Sequence, residues 1–386
     1  MTRASHVSPS AAGFAQRGMT FSVDGWDPSY GASLELEGQL AESTARIDAS
    51  VEIPAERWRP IDPDSTGPVP EALLFVDGVR RVEAQLWIDG AAGAAGGRAV
   101  DATTGEVQPD DVPASGAATE ATAALCASYA AGAVCCCAAG AHLVALQSGR
   151  GLFSVAPNAS DILTRAGGYK AFHVTIKKAG APVMAALSAS LQRRLAAVEV
   201  EVAKAARDGA GNAATAPGRH PTQSTSDLLI VDGPLLGRQH LERALGYIKS
   251  HHATYLPPEL NAIVGALTPG QRTPAFHMGT SWDRHSWYLR LPGPKGAPWS
   301  GVVRIECPAD LPVAEVTRLA GLSQRCLGKF ASSPYKDSRA PQNLYPIAGL
   351  ERELRHRLGD PQVLYRALRE AARPDQEHLP PVSATP

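Results

Sequence analysis

Two stretches of the chain share one pattern, an unbroken apolar run closed by a carboxylate and a glycine. They are Leu73-Leu74-Phe75-Val76-Asp77-Gly78 and Leu228-Leu229-Ile230-Val231-Asp232-Gly233. Short apolar runs that contain β-branched residues and stop at glycine read as strands buried on both faces. The segment after the first run alternates instead. Arg80, Val82, Ala84, Leu86 and Ile88 share one side, and Val79, Arg81, Glu83, Gln85 and Trp87 share the other. This pattern predicts a strand Ala72–Asp77 followed by an antiparallel hairpin partner Val79–Ile88, because Asp-Gly is a common turn signal. Tyr129–Cys137, Ala141–Gln147 and Leu152–Val155 continue a meander of small-residue strands, and Ser286–Leu291 and Gly301–Cys307 add two more.

Helical spacing is clearest between the two Asp-Gly runs. Met184, Leu187, Leu191, Leu195, Val198, Val202 and Ala205 recur every three or four residues. They predict a helix from Pro182 to about Arg207, with the proline in its first turn. Leu241, Leu245 and Ile248 suggest a second helix, from Arg238 to about His252, stopped by Pro257-Pro258. Three more follow at Leu311–Gly328, Ile347–Leu358 and Pro361–Ala372. Residues 1–70 show short alternating segments, such as Ala45–Ile53, and read as an N-terminal arm with little helix. Residues 90–120, rich in Gly, Ala, Asp and Pro, read as a large surface insertion, 208–226 as a flexible link, and 373–386 as a Pro-rich tail.

The predicted order is three antiparallel strands, a helix, and a strand returning beside the first. That is an α/β plan of the ribonuclease H-like kind, a mixed sheet with flanking helices spanning residues 71–372. At 386 residues the chain can bury a sizeable core, and no apolar run reaches membrane-span length. The first nineteen residues lack the order of a secretory signal, so a cytoplasmic protein is expected.

Charge changes the picture more than composition does. Residues 1–120 hold 8 basic and 19 acidic residues, a net of −11; the remainder hold 37 − 8 = 29 and 38 − 19 = 19, a net of +10. Such polarity lets one part of the molecule face phosphate while the other does not. The six cysteines, Cys126, Cys135, Cys136, Cys137, Cys307 and Cys326, lack C-x-x-C spacing. Consecutive cysteines on a strand point to opposite faces, so they read as small buried hydrophobes rather than a zinc site or a disulfide framework.

Asp77 and Asp232, at the ends of neighbouring strands, would place two carboxylates at one sheet edge, as a divalent-metal site requires. A third could come from Glu199 or Glu201 on the intervening helix. These lie about 200° apart on a helical wheel, so only one can face inward, and helical geometry does not choose between them. Taken singly, a helix Glu is most often solvated, and a strand-ending Asp-Gly is most often a turn. Lys249 could meet a phosphate or simply oppose a helix dipole. Arg80 and Arg81 could neutralise backbone phosphate. In the polar loop before Pro346, Asp337 or Asn343 could add a ligand and Arg339 could contact phosphate. Trp282, Trp287 and Tyr288 could stack a base, although a buried aromatic strand is the simpler reading. There is no phosphate-binding Gly-x-x-x-x-Gly-Lys-Ser/Thr loop, no G-x-S-x-G and no H-E-x-x-H.

Taken together, LLFVDGVRRVEA (73–84), LLIVDGPL (228–235), GYIKSHH (246–252), SWYLRLP (286–292) and DSRAPQNLYPIAGLE (337–351) resemble the bacterial branch of the NurA nuclease family. The resemblance spans roughly residues 20–372. It implies a ribonuclease H-like core and a homodimer, with Mn²⁺- or Mg²⁺-dependent DNA cleavage that combines 5′-to-3′ exonuclease and single-strand endonuclease action. It further implies DNA-end processing in recombinational repair beside the nucleoid, with docking on a HerA-type hexameric ATPase that drives translocation. Asp77 and Asp232 match the family's metal-binding aspartates, and Glu199 fits the helix glutamate better than Glu201. The chain departs from the family in carrying Val79 after Asp-Gly, and Gln342-Asn343 where a late His is expected. The rival from another class is a non-catalytic adaptor on the same core that regulates a DNA translocase.

Overall fold

A computed structural model describes residues 41–42, 45–64, 66–88, 121–176, 182–208, 227–251, 253–293, 296 and 299–372. The expected insertion at 90–120, the link after Asp208 and the C-terminal tail lie outside them, as do His252 and most of the arm.

The first Asp-Gly run does not turn. It belongs to one strand, β3 (Ala72–Ile88), preceded by two short strands, β1 (Ala41–Glu42) and β2 (Arg46–Asp48). The expected hairpin fails because Gly78 does not adopt a positive φ, the conformation that a tight Asp-Gly turn needs. The antiparallel partner of β3 is instead β4 (Thr122–Cys137), paired from Ala72↔Cys137 to Ile88↔Thr122 with a bulge between Val82 and Ala84. β5 (Gly140–Ser154) completes the meander and absorbs the segment expected as a separate Leu152–Val155 strand. β6 (Ile162–Thr164) and β7 (Gly167–His173) extend that side of the sheet.

Helix α1 (Val183–Asp208) follows with the expected periodicity, burying Leu187, Leu191, Leu195, Val198 and Val202. The chain then returns as β8 (Asp227–Asp232), parallel to β3, with Phe75↔Ile230 and Val76↔Val231. The predicted helix Arg238–His252 is not formed. Turns occupy 234–243, and β9 (Ala244–Ile248) runs parallel to β8. Leu241, Leu245 and Ile248 satisfy helical spacing, but Ala244–Ile248 is also a short apolar run. The open edge of β8 decides in favour of strand pairing.

β10 (Ala253–Thr254) and α2 (Pro258–Ala266) lead to the antiparallel β11 (Phe276–Gly279), β12 (Asp283–Arg290) and β13 (Val302–Pro308). α3 (Val313–Leu327), α4 (Tyr345–Arg357) and α5 (Pro361–Ala371) close the described chain. The main sheet has eleven strands in the order β2-β11-β12-β13-β9-β8-β3-β4-β5-β7-β6. Its faces are covered separately. Leu74, Val76, Leu229 and Val231 pack toward α1, while Leu73, Phe75, Leu228 and Ile230 pack toward α3. That two-sided burial explains the unbroken apolar runs. Trp287 and Tyr288 are buried within it, so they form the aromatic strand and not a base-stacking platform. Among the described residues no helix is long and apolar enough to cross a membrane.

Candidate active site

Asp77 and Asp232 each follow the last register-matched pair of β3 and β8, so they stand side by side on one face of adjacent parallel strands. β8 ends at Asp232, and Gly233, at φ +95°, turns the chain away in a conformation that favours glycine. Asp77 sits in mid-strand, opposite Gly132 of β4, and its carboxylate accepts a 2.7 Å hydrogen bond from the Gly78 amide. Gly78 points to the other face, against α1. A Cβ there would run into the Glu199 carboxylate and come within 2.8 Å of Leu195 Cδ1. The missing side chain at Gly78 is therefore what admits Glu199 to the sheet.

Of the two glutamates on α1, Glu199 is the one that faces the cavity. Glu199 is buried, whereas Glu201 is half-exposed and reaches Arg194 at 3.6 Å. Asp77, Glu199 and Asp232 line one cavity of about 760 Å³ with Gln192, Arg193, Gly233 and Arg238. Arg80 lies at its exposed rim, donating to Gln192 Oε1 at 2.7 Å. Arg81 does not join it: its guanidinium is clamped on Glu83 and on the Gly359 carbonyl.

Two of the three carboxylates are met by cations. Lys249 Nζ donates to Asp232 Oδ2 at 2.6 Å and to Asn343 Oδ1 at 3.1 Å. Asn343 in turn donates to Asp337 at 2.6 Å, and Arg339 joins Asp337 to Glu351. Asp337, Asn343 and Arg339 thus form a relay behind Lys249 and are not first contacts of the carboxylate group. Lys249 follows a strand, so its expected role at a helix end is replaced by a position at the sheet's carboxyl edge. Glu199 is bound by buried Arg238, which also donates to the Pro234 carbonyl at 2.7 Å. Sequence reasoning missed Arg238, because it placed that residue at the start of a helix. It also missed Glu351, whose charge is felt at Asp77.

Asp77 is dehydrated and has a second carboxylate beside it. Burial, then the neighbouring Asp232, push its carboxyl well above the ordinary range, against the pull of Lys249. Burial also raises Glu199, with Arg238 opposing. Crowded, dehydrated carboxylates are the environment that a divalent cation relieves, and an all-oxygen donor set suits Mg²⁺ or Mn²⁺. The donor types therefore suit such an ion, although the three carboxylates do not meet at ligand spacing: among the described residues, the group whose donor atoms lie within 4.8 Å of one another is Cys135, Cys137 and His142.

No family model matches the chain, and no characterised protein matches it in sequence. Among solved structures, the NurA nuclease from Sulfolobus solfataricus is similar over 84% of this chain and 90% of its own, with 10% identity and a TM-score of 0.41. A likeness at that level adds no weight to any assignment.

Proposed function

We propose that this chain is a divalent-metal-dependent nuclease acting at DNA ends, on a ribonuclease H-like core. The observation that carries the reading is the convergence of Asp77, Asp232 and Glu199 on one cavity, from two adjacent parallel strands and the helix between them. The core assignment draws on the run β9-β8-β3-β4-β5, three antiparallel strands with two parallel ones returning beside the first. The motif resemblance to NurA nucleases supplies the substrate, end-directed cleavage, a homodimer, a HerA-type hexameric ATPase as partner and a place beside the nucleoid.

Asp77, Glu199 and Asp232 would hold Mn²⁺ or Mg²⁺. A divalent ion bound there supplies Lewis acidity toward water and the phosphoryl oxygens. Asp77, fixed within β3, orients the site. Lys249, held between Asp232 and Asn343, presents an ammonium to a phosphate oxygen. Arg80 at the rim binds the backbone further along, as a contact that positions without reading sequence.

The adaptor reading draws on one observation of its own: Arg238 and Lys249 already balance two of the carboxylates. An assay on end-labelled linear DNA separates the two, run with and without Mn²⁺ and with and without a HerA-type ATPase. Parent protein should degrade the DNA only with the ion. Asp77→Ala and Asp232→Ala should each lower the rate by about a hundredfold or more while leaving the circular dichroism spectrum intact. A parent inert under every condition supports the adaptor; full activity in either variant removes the site assignment.

A further inference from the structure

The hairpin that joins β4 to β5 carries a second group of metal-ligating side chains, unrelated in chemistry to the carboxylates. Cys135 and Cys137 stand two residues apart on β4, and therefore on one face. His142 is the cross-strand partner of Cys135, and Gly140 that of Cys137. Register thus brings two thiols and one imidazole together at the hairpin end. Cys135 Sγ, Cys137 Sγ and a His142 ring nitrogen all lie within 4.8 Å of one another. Cys136, between the two thiols, leaves the strand on the opposite face and packs with the α3-side core. The cysteines have no C-x-x-C spacing, and the third ligand comes from His142 across the strand.

The geometry is close to that of a bound ion. Donors at 2.0–2.3 Å from a tetrahedral centre are separated by about 3.5–3.8 Å, so closure needs a movement of at most roughly 1 Å. Side-chain rotation at the half-buried Cys137 and His142 can supply that. Burial is graded across the group: Cys135 is buried, Cys137 and His142 are half-buried, and Ala138, Ala139 and Gly140 are exposed. An ion would enter from the turn and keep a fourth position open to water. The donors differ from the carboxylate cavity in kind as well as place. Cys135 lies three residues along β4 from Gly132, the partner of Asp77, roughly 10 Å away. Thiolates and imidazole select thiophilic ions, whereas an all-oxygen site selects hard ones.

We propose that Cys135, Cys137 and His142 bind a thiophilic d¹⁰ metal ion, Zn²⁺ or Cu⁺, at the β4–β5 hairpin. On binding, two metal–sulfur bonds and one metal–nitrogen bond form, and the two thiol protons pass to the buffer. The site does not depend on the nuclease reading.

The test uses the full chain, purified under reductant and stripped of metal. It is titrated with Co²⁺ as a Zn²⁺ surrogate and, separately, with Cu⁺ against a chromophoric chelator. A thiolate-to-cobalt charge-transfer band that Zn²⁺ abolishes identifies the zinc arm; retention of one equivalent of Cu⁺ against the chelator identifies the copper arm. Carboxylates give no such band, so the signal is blind to Asp77 and Asp232. Cys137→Ser and His142→Ala, both at half-buried positions, should each weaken binding by about 100-fold or more, while Cys136→Ser leaves it unchanged. The proposal is overturned by the absence of both the band and Cu⁺ retention. It is equally overturned if the Cys137 and His142 variants, shown folded by circular dichroism, bind like the parent, since the ion would then be adventitious.

Discussion

Asp77 is a buried carboxyl whose cost to the fold is what its role in the proposed site would explain. Its carboxyl titrates well above the ordinary range, chiefly because it is buried and secondly because Asp232 lies beside it. The folded state therefore holds the Asp77 proton more tightly than the unfolded chain does. The stabilisation from that proton is complete below the unfolded pKa of about 4 and is lost as pH rises through the folded value. Asp77→Asn keeps the shape and cannot ionise. We expect it to be more stable than the parent at pH 7, with the gap closing toward pH 4, in urea unfolding measured without divalent ions. Each kcal/mol gained should appear as roughly 1–2 °C in melting temperature for a chain of this length. Added Mn²⁺ should stabilise the parent and not the variant, and a parent whose stability rose across the same interval would contradict this assignment. The Asp residues were legible in the sequence because each closes a buried apolar run. Arg238 was not, since nothing local marks an arginine as the partner of a glutamate 39 residues earlier.

At the scale of elements, the contact between α1 and β3 shapes the candidate site. Gly78 lets Glu199 and Leu195 lie against the strand. In Gly78→Ala the new methyl must push aside the Glu199 carboxylate or the Leu195 side chain. We expect metal-dependent cleavage to fall by about 100-fold, the scale on which misplacement near 1 Å acts, with a much smaller change in melting temperature. Calorimetric titration with Mn²⁺ gives the independent check: unchanged affinity would show that Glu199 does not hold the ion. The helix α1 was legible because its apolar stripe runs for most of 26 residues. The fate of Gly78 and of 244–248 was not. A glycine needed for close approach looks the same in sequence as one needed for a turn, and a five-residue apolar run fits either period.

At the scale of the whole molecule, the described residues centre on one large sheet whose far edge is built from an early segment. Strand β2 pairs with β11, and Trp58 is buried among Phe276, Met278 and Tyr288. Glu52 fixes this segment, accepting hydrogen bonds of 2.7 Å from Arg272 Nη1, Arg272 Nη2 and the Ala275 amide. Residues 45–64 are thus joined to the main sheet more closely than the expected arm. Glu52→Ala leaves the Arg272 guanidinium buried with its main ionic partner removed, a loss of the kind that costs about 3–5 kcal/mol. Guanidinium unfolding should show the transition displaced as a single step. A separate early transition, with the rest unchanged, would mean that the segment folds independently. Charge polarity between the chain's parts was plain in the sequence, but this long-range ion pair was not, because 220 residues separate its members.

Strand β3 continues past Asp77 with β4 paired along its length, while β8 stops at Asp232 and turns through Gly233. Asp77 is therefore set in mid-strand and tied on the β4 side, whereas Asp232 is the last residue of its strand and is tied through Tyr247 on the β9 side. The two carboxylates thus belong to opposite halves of the sheet, one anchored outward through β4 and the other through β9. On the proposed reading, an ion held by both would clamp the β3–β8 seam at the point where β8 leaves the sheet.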